Sequence, residues 1–424
     1  MKRKAEKAQR KQEQRTLRQV LMPMVVGMAA TKQGLMEWVI ESGMESLLKL
    51  FSEEAVAVAG PKGKHLPDRT HNHWGTTAAS FPLGGRHVTL PRPRVRKKGG
   101  GEVALPSVDH FQQVDSLPER VVEQILLGVS TRGYEHSLEP LPAGLTSRGT
   151  SKSSASRRLV DRTKAKMSTE LKGRLDGVDF IALMVDGIEV ANHTVVVGLG
   201  ITRDGSKVTL GLALGSTENA AVCTTLLQGI VDRGLLVRDR VLCVIDGGKG
   251  IRKALDDVFG NLIVVQRCQL HKIRNVLDHL PKNRRGHVRR AMREAYASSN
   301  VATARRLLRS LVSWLESNGE DDAAASLREG MEETLTVIKL ELPTTLRRSL
   351  STTNAIENVV GTVRRVSRNV KRWRSGTMAK RWVALGLSTA QRKFRRIKGH
   401  RSLDILVQAL RRKEKQLDNQ SQAA

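Results

Sequence analysis

The sequence predicts an α/β fold: a mixed-sheet core interrupted by an all-helical insertion, with a basic, largely helical region ahead of it. Three observations carry this. Between residues 178 and 280, short apolar runs rich in Val, Ile and Leu alternate with helical stretches in the order β-β-β-α-β-α-β-α, and the runs read as strands buried on both faces. From 287 to about 342 that texture gives way to a helical period, with Leu307, Leu308, Leu311, Trp314 and Leu315 in register. The chain also has 424 residues, more than one ordinary compact core holds, so several structural units are expected.

Charge narrows the partner. Lys+Arg 72 against Asp+Glu 42 gives a formal net charge of +30, a field that attracts polyanions, and nucleic acid leads that class. Aromatic residues are 3% of the chain and Tyr134 and Tyr296 are its two tyrosines, which leaves few rings for stacking single-stranded bases. Phosphate contact with double-stranded DNA fits better. Cys223, Cys243 and Cys268 have no framework spacing, favouring a reducing, cytoplasmic setting over disulfide stabilisation. The basic stretch 1–18 followed by VLMPMVVGMAA at 20–30 imitates a secretory signal, yet the apolar part holds a proline and continues into amphipathic helix. No apolar run approaches the roughly 18 residues of a membrane span, so no membrane is expected.

In chain order, residues 1–60 read as a charged helical segment closing near Gly60 and Pro61. Residues 61–108 read as a basic loop or β arm, in which RHVTLPRPRVRKK at 86–98 alternates enough for one or two short strands. Residues 109–175 turn helical again. Their last helix opens SKSSASRRLVDRTKAK and is compatible with a helix-turn-helix presenting Ser154, Ser156, Arg157 and Arg158 to a major groove. A plain helical linker with a solvated basic face is an equal reading.

The first part of the core spans 176–286. Strands are expected at 178–185, 194–201 and 207–214, with turns at Asn192-His193 and Asp204-Gly205. Helix 220–232, strand 241–245, helix 249–259, strand 262–266 and helix 270–280 follow. Asp186 stands directly after the first strand and Asp246 directly after the fourth, each followed by glycine. Either alone is more simply a strand-end turn former. If strand one neighbours strand four, however, both carboxylates emerge side by side at one sheet end, where α/β sites form. Such oxygen ligands suit Mg²⁺, with Mn²⁺ as a substitute. Phosphodiester cleavage by two ions about 4 Å apart needs a third acid.

Residues 287–345 form the helical insertion, and 346–424 complete the core with further helices. A basic helix from about Thr352 to Trp373 carries an apolar stripe at Ile356, Val360, Val363 and Val370, with Glu357 beside it. Glu357 is the third acid, against the alternative of an exposed helix acid among basic residues. Arg364 and Arg368, at i+7 and i+11 from it, share its face, and Arg365, Lys371 and Arg372 extend the basic run toward DNA.

VDG at 185–187, IDGGKG at 245–250, CQLH at 268–271 and TTNAIEN at 352–358 together resemble the Mutator-type transposases of bacterial insertion sequences. The likeness runs from about 178 to 390, with 357 minus 246 giving a separation of 111 between second and third acids. Before residue 110 only LGGRHVTLPRPRV looks similar. The resemblance implies a ribonuclease-H-like core in which Asp186, Asp246 and Glu357 are a DDE triad. It further implies hydrolysis of element ends to free 3′-hydroxyls and their joining to target DNA, with Mg²⁺ and no covalent protein intermediate. A homodimer or higher oligomer on DNA, associated with a bacterial nucleoid, goes with that activity. Cys268, His271 and Asn354, within the shared motifs, are expected to support the site. Two alternatives stay open: a metal-dependent nuclease of the same fold that does not join strands, and a non-catalytic, transposase-derived DNA-binding protein, whose mark would be an altered triad.

Smaller signals read blandly. Cys268 and His271 have the spacing of half a zinc site, without a convincing second pair. GGKG at 247–250 lacks the spacing of a nucleotide-phosphate loop; it lets the chain turn from strand to helix, with Lys249 near DNA. Trp314, Trp373 and Trp382 are expected to anchor helices more than to stack on a flipped base.

Overall fold

The computed structural model describes residues 32–113, 117–142, 144–190, 193–215, 219–235, 237 and 240–422. The signal-like stretch at 20–30 lies outside them. The chain divides into two compact units at Arg162/Thr163. No helix among the described residues is long and apolar enough to cross a membrane.

In the first unit, α1 (Lys32–Ala59) ends where Gly60 takes φ +76°. β1 (His71–Leu83) and β2 (Arg86–Lys97) form an antiparallel hairpin turned by Gly84 and Gly85, and β3 (Glu102–Val103) and β4 (Ser147–Arg148) pair with β2. The arm expected to hold one or two short strands therefore contains strands of 13 and 12 residues. Alternation is the cause: Val88, Leu90 and Val95 share a core with Phe51 and Ala55 of α1. The intervening cations turn outward, Arg94 onto Glu102 at 2.8 Å and Arg96 over the Trp74 ring at 4.5 Å.

α2 (Pro106–Gln113) and α3 (Leu117–Leu126) follow, and then residues 127–151 intervene before α4 (Lys152–Lys172). A helix-turn-helix joins its helices by about three or four residues. The pair α3 and α4 is thus not the helix-turn-helix that the sequence suggested. The connection instead plants Tyr134, fully buried, with its hydroxyl donating to the Gly85 carbonyl at 2.7 Å.

The second unit is built on a five-stranded mixed sheet. β5 (Phe180–Val190), β6 (His193–Thr202) and β7 (Lys207–Gly215) are antiparallel neighbours, while β8 (Val241–Ile245) and β9 (Ile263–Arg267) run parallel to β5. The order across the sheet is β7-β6-β5-β8-β9, so strand one does neighbour strand four. The turn expected at Asn192-His193 lies partly outside the described residues; that at Asp204-Gly205 is present, with Gly205 at φ +84°. Leu183, Val185, Cys243 and Ile245 face α5 (Ala220–Asp232) and α6 (Lys249–Phe259). Ala182, Met184, Leu242 and Val244 face the opposite layer of C-terminal helices.

α7 (Gln269–Asp278) leads into the insertion, α8 (Lys282–Ala297), α9 (Val301–Ser317) and α10 (Asp321–Arg328), which shares its own core with Ile273, Val276 and Leu277. Residues 287–342 were expected to form a helical insertion outside the sheet. The last part of this segment does not stay outside it. After α11 (Met331–Thr334), α12 (Thr336–Lys339) docks on β9: Thr336 Oγ1 donates to the Val265 carbonyl at 2.6 Å and Val337 N–H to Gln266 Oε1 at 2.9 Å. Val337, Leu340 and Leu342 enter the sheet core. β9 is an edge strand, and this segment covers it.

α13 (Thr344–Leu350), α14 (Asn354–Ser367), α15 (Gly376–Gln391) and α16 (Leu403–Gln422) complete the layer. α14 is shorter than the expected 352–373, and Val370 falls beyond its apolar stripe. The chain must turn back so that α15 can lie on α14, where a Cβ on Gly386 would meet Val363 Cα at 2.7 Å.

Candidate active site

The period of two along a strand decides where the aspartates point. Asp186 has the parity of Ala182 and Met184, and Asp246 that of Leu242 and Val244, the face under α14. The parallel register Met184↔Val244 carried two residues further sets Asp186 level with Asp246 on strands about 4.8 Å apart. β5 continues to Val190, so Asp186 sits inside its strand rather than after it; β8 stops at Ile245, and Asp246 opens the following loop. Asp186 Oδ1 accepts from Gly187 N–H at 2.9 Å, and Asp246 Oδ1 from Gly248 N–H at 2.9 Å.

Ile356, Val359, Val360 and Val363 seat α14 on the sheet, and Glu357 stands half-buried at the edge of that stripe. Its Oε1 accepts from Thr353 Oγ1 at 3.1 Å and lies 3.8 Å from His271 Nε2. Burial, and next the Asp246 carboxylate, push the Asp186 carboxyl up to about 6; His271 and the Gly187 N–H pull against this, and Glu357 adds to it. His271 is held above its ordinary value by its hydrogen bond with Cys268, opposed by burial and helped by Glu357 and Asp246. Three acids and one imidazole therefore form a single electrostatic cluster.

Cys268 and His271 frame the start of α7. Cys268 N–H donates to the Ile245 carbonyl at 2.7 Å, tying this turn to the residue before Asp246. Burial alone would raise the Cys268 thiol, but hydrogen bonds from His271 and Thr353 outweigh it and leave the thiol below its ordinary value. Cys268, His271 and Glu357 bring one donor atom each within 4.8 Å of one another, so the partner missing from the half zinc site in the sequence comes from α14. Thr353 lies among all three.

The remaining candidates scatter. Asn354 is exposed at the first turn of α14, and Lys249 is exposed at the first residue of α6. A groove of about 540 Å³ beside the end of β8 is lined by charges of both signs, Lys249, Arg252, Lys253 and Arg267 with Asp256, Asp257, Glu329 and Glu333. Gly247, at φ +106°, has to be glycine, because a Cβ there would lie 2.0 Å from Arg267 Nε. Arg364 and Arg365 are exposed on α14, Arg368 is its exposed C-cap, and Lys371 and Arg372 are exposed in the link to α15. In the first unit Arg157 is exposed, whereas the Arg158 guanidinium donates to the Gly149 carbonyl. Trp314 packs on the insertion core with the His287 ring 4.6 Å away, and Trp373 packs on the sheet core, as anchors do. Sequence reasoning missed Arg267, Lys272 and Thr353. Lys272 is fully buried and donates to the Ser326 and Glu329 carbonyls at 2.7 and 2.6 Å. Arg267 is signalled by polarity at the end of the apolar run 262–266, and Thr353 by its place in TTNAIEN; nothing in the sequence around Lys272 marks it.

A family profile described as "Transposase, Mutator family" matches residues 11–396, which take in all three acids and the C-x-x-H turn. The chain belongs to the Mutator family of transposases. This Mutator-family member is 25% identical over 306 residues to the transposase of insertion sequence element IS256 in transposon Tn4001 from Staphylococcus aureus, covering 70% of this chain and 75% of that one. It is 26% identical over 347 residues to the transposase of element ISRM5 from Rhizobium meliloti, covering 78% and 81%. With the transposase of ISRM3 from the same organism the identity is 30% over 207 residues, covering 49% and 50%.

Proposed function

We propose that this Mutator-family chain is a DDE transposase that hydrolyses the ends of an insertion sequence and joins the freed 3′-hydroxyls to target DNA. Asp186, Asp246 and Glu357 are its metal-holding acids. The observation that carries the reading is their convergence on one sheet face, with the Asp186 carboxyl pushed up to about 6 by burial beside Asp246. Crowded, partly buried carboxylates, with the His271 imidazole beside Glu357, are a donor set for a hard divalent ion, Mg²⁺ or Mn²⁺. The sheet order β7-β6-β5-β8-β9, antiparallel on one side of β5 and parallel on the other, supports a ribonuclease-H-like core.

When bound, two such ions would activate the attacking oxygen and stabilise the leaving one. The chain's own groups do the rest. Gly187 and Gly248 N–H fix one oxygen of each aspartate, and the other oxygen of each would be the one to hold the metal. Glu357 closes the third side from α14, and Arg364 and Arg365 on the same helix meet phosphates flanking the scissile bond. DNA ends and target are the partners. Two ends have to be joined together, so a homodimer or larger assembly on DNA is part of the proposal.

The test incubates the full chain with its element's ends, Mg²⁺ and a plasmid, and sequences the products. Joined ends are expected. Cleaved but unjoined ends would make the protein a nuclease, and uncut DNA would overturn the catalytic reading.

A further inference from the structure

Thr353 occupies the N-cap position of α14, where a threonine hydroxyl ordinarily accepts from an N–H of the first helical turn. Here it makes no such bond. Only its carbonyl caps, accepting from Ile356 and Glu357 N–H at 3.0 and 2.9 Å. The hydroxyl is fully buried and lies 3.4 Å from Cys268 Sγ, 3.3 Å from His271 Nδ1 and 3.1 Å from Glu357 Oε1.

A hydroxyl has one proton to give and two lone pairs to receive. Glu357 Oε1, a carboxylate oxygen, can only accept, so the Thr353 proton goes there. Cys268 Sγ, at 3.4 Å, is a second and longer acceptor for the same hydroxyl and also accepts the Thr353 N–H at 3.4 Å, while His271 Nδ1 shares a hydrogen bond with the hydroxyl oxygen. Oγ1 thus touches a polar atom of each of the three residues whose donor atoms lie within 4.8 Å of one another.

We propose that Thr353 is a positioning residue: its hydroxyl fixes Glu357 Oε1 and thereby aims Oε2 at the metal site shared with Asp186 and Asp246. The same hub connects both halves of the site. Cys268 is bonded to the Ile245 carbonyl next to Asp246, and Gln269 N–H to the Ser351 carbonyl at 3.0 Å just ahead of α14. The relative placement of Asp246 and Glu357, 111 positions apart in the chain, thus passes through Cys268 and Thr353. This inference rests on the reading of Glu357 as a metal ligand given above.

The experiment measures Mn²⁺ binding to the full-length protein, without DNA, for wild type, Thr353→Val, Thr353→Ser and Glu357→Gln. Groups that orient metal ligands change affinity by about 10- to 100-fold when removed. Thr353→Val, which keeps shape but loses the hydroxyl, is expected to raise the Mn²⁺ Kd, and the Mg²⁺ concentration for half-maximal cleavage, by at least about tenfold. Thr353→Ser should restore both, and duplex affinity should be unchanged throughout. Wild-type Mn²⁺ affinity in Thr353→Val, with Glu357→Gln impaired, overturns the positioning role alone. Wild-type affinity in Glu357→Gln overturns the metal-ligand reading beneath it. Thr353→Ala carries the same comparison should Thr353→Val not fold. A thiolate-to-metal absorption band on adding Co²⁺, lost in Cys268→Ser, would show an ion held by Cys268 and overturn the hub.

Discussion

Asp186→Asn is expected to stabilise the metal-free protein at neutral pH while ending strand cleavage. The Asp186 carboxyl is pushed from its usual 3.8 up to about 6, chiefly by burial and then by Asp246. Its folded-state value therefore lies above its unfolded one, so the unfolded chain releases the proton first and folding carries a penalty wherever the folded carboxyl is forced to ionise. That penalty is absent below about pH 4, grows between about pH 4 and 6, and is complete above about 6. A gap of roughly two pH units at about 1.36 kcal/mol each sets an upper bound near 3 kcal/mol. Residual solvent contact reduces this to an expected gain of about 1–2 kcal/mol. Asparagine keeps an oxygen for the Gly187 N–H and drops the charge. Urea unfolding in chelator at pH 8 should give the variant the higher midpoint at unchanged slope, with the gain shrinking at pH 5. Mg²⁺ should then stabilise wild type more than the variant. A variant no more stable than wild type at pH 8, or a gain independent of pH, would refute the reasoning.

Asp246→Asn and Glu357→Gln should each reduce cleavage of element ends to background while duplex affinity stays close to wild type, read by gel shift alongside cleavage; near-normal cleavage in either removes that residue from the triad. Nonspecific duplex affinity should fall steeply with salt, with a log-log slope of about −0.9 per phosphate neutralised, given the net charge of +30; a flat response would contradict phosphate-dominated binding. Lys272→Met should destabilise the fold by about 3–5 kcal/mol, because it leaves the Ser326 and Glu329 carbonyls without their donor; a loss under about 1 kcal/mol in urea unfolding would mean that water replaces the lysine. Replacing 287–342 by a short linker should give aggregated protein, since it strips β9 of its cover at Thr336 and Val337; a soluble product by size-exclusion chromatography would show that this cover is dispensable.

The sheet was legible because its signal is local. Valine-rich runs such as TVVVGLGI at 194–201 cannot lie on a surface, and the strands and helices from Phe180 to Asp278 follow the expected order with ends moved by a few residues. Asp186 was assigned to a strand end because glycine follows it, yet pairing with Val197 keeps β5 going to Val190. The basic arm was underestimated for a related reason. Prolines and glycines around 82–100 read as breaks, but Pro91 and Pro93 lie within β2 opposite Ala78 and Thr76, and α1 covers the alternate face. The end of the insertion was misjudged because α12 looks like any helical turn until β9 is known to be an edge.

By itself the sequence indicated nucleic acid as the partner class through charge, the α/β class through period, and Asp186, Asp246 and Glu357 as candidate metal ligands through their place in the pattern and shared motifs. It also located the C-x-x-H turn, though not its company. Tertiary structure alone decided that Asp186 and Asp246 share one face, that Glu357 reaches them from 111 positions beyond Asp246, and that Thr353 joins Glu357 to Cys268 and His271. The physical reason is one of range. Periodicity records which side of its own element a residue occupies, whereas a hydrogen bond between residues 85 positions apart exists only once β8, α7 and α14 have packed.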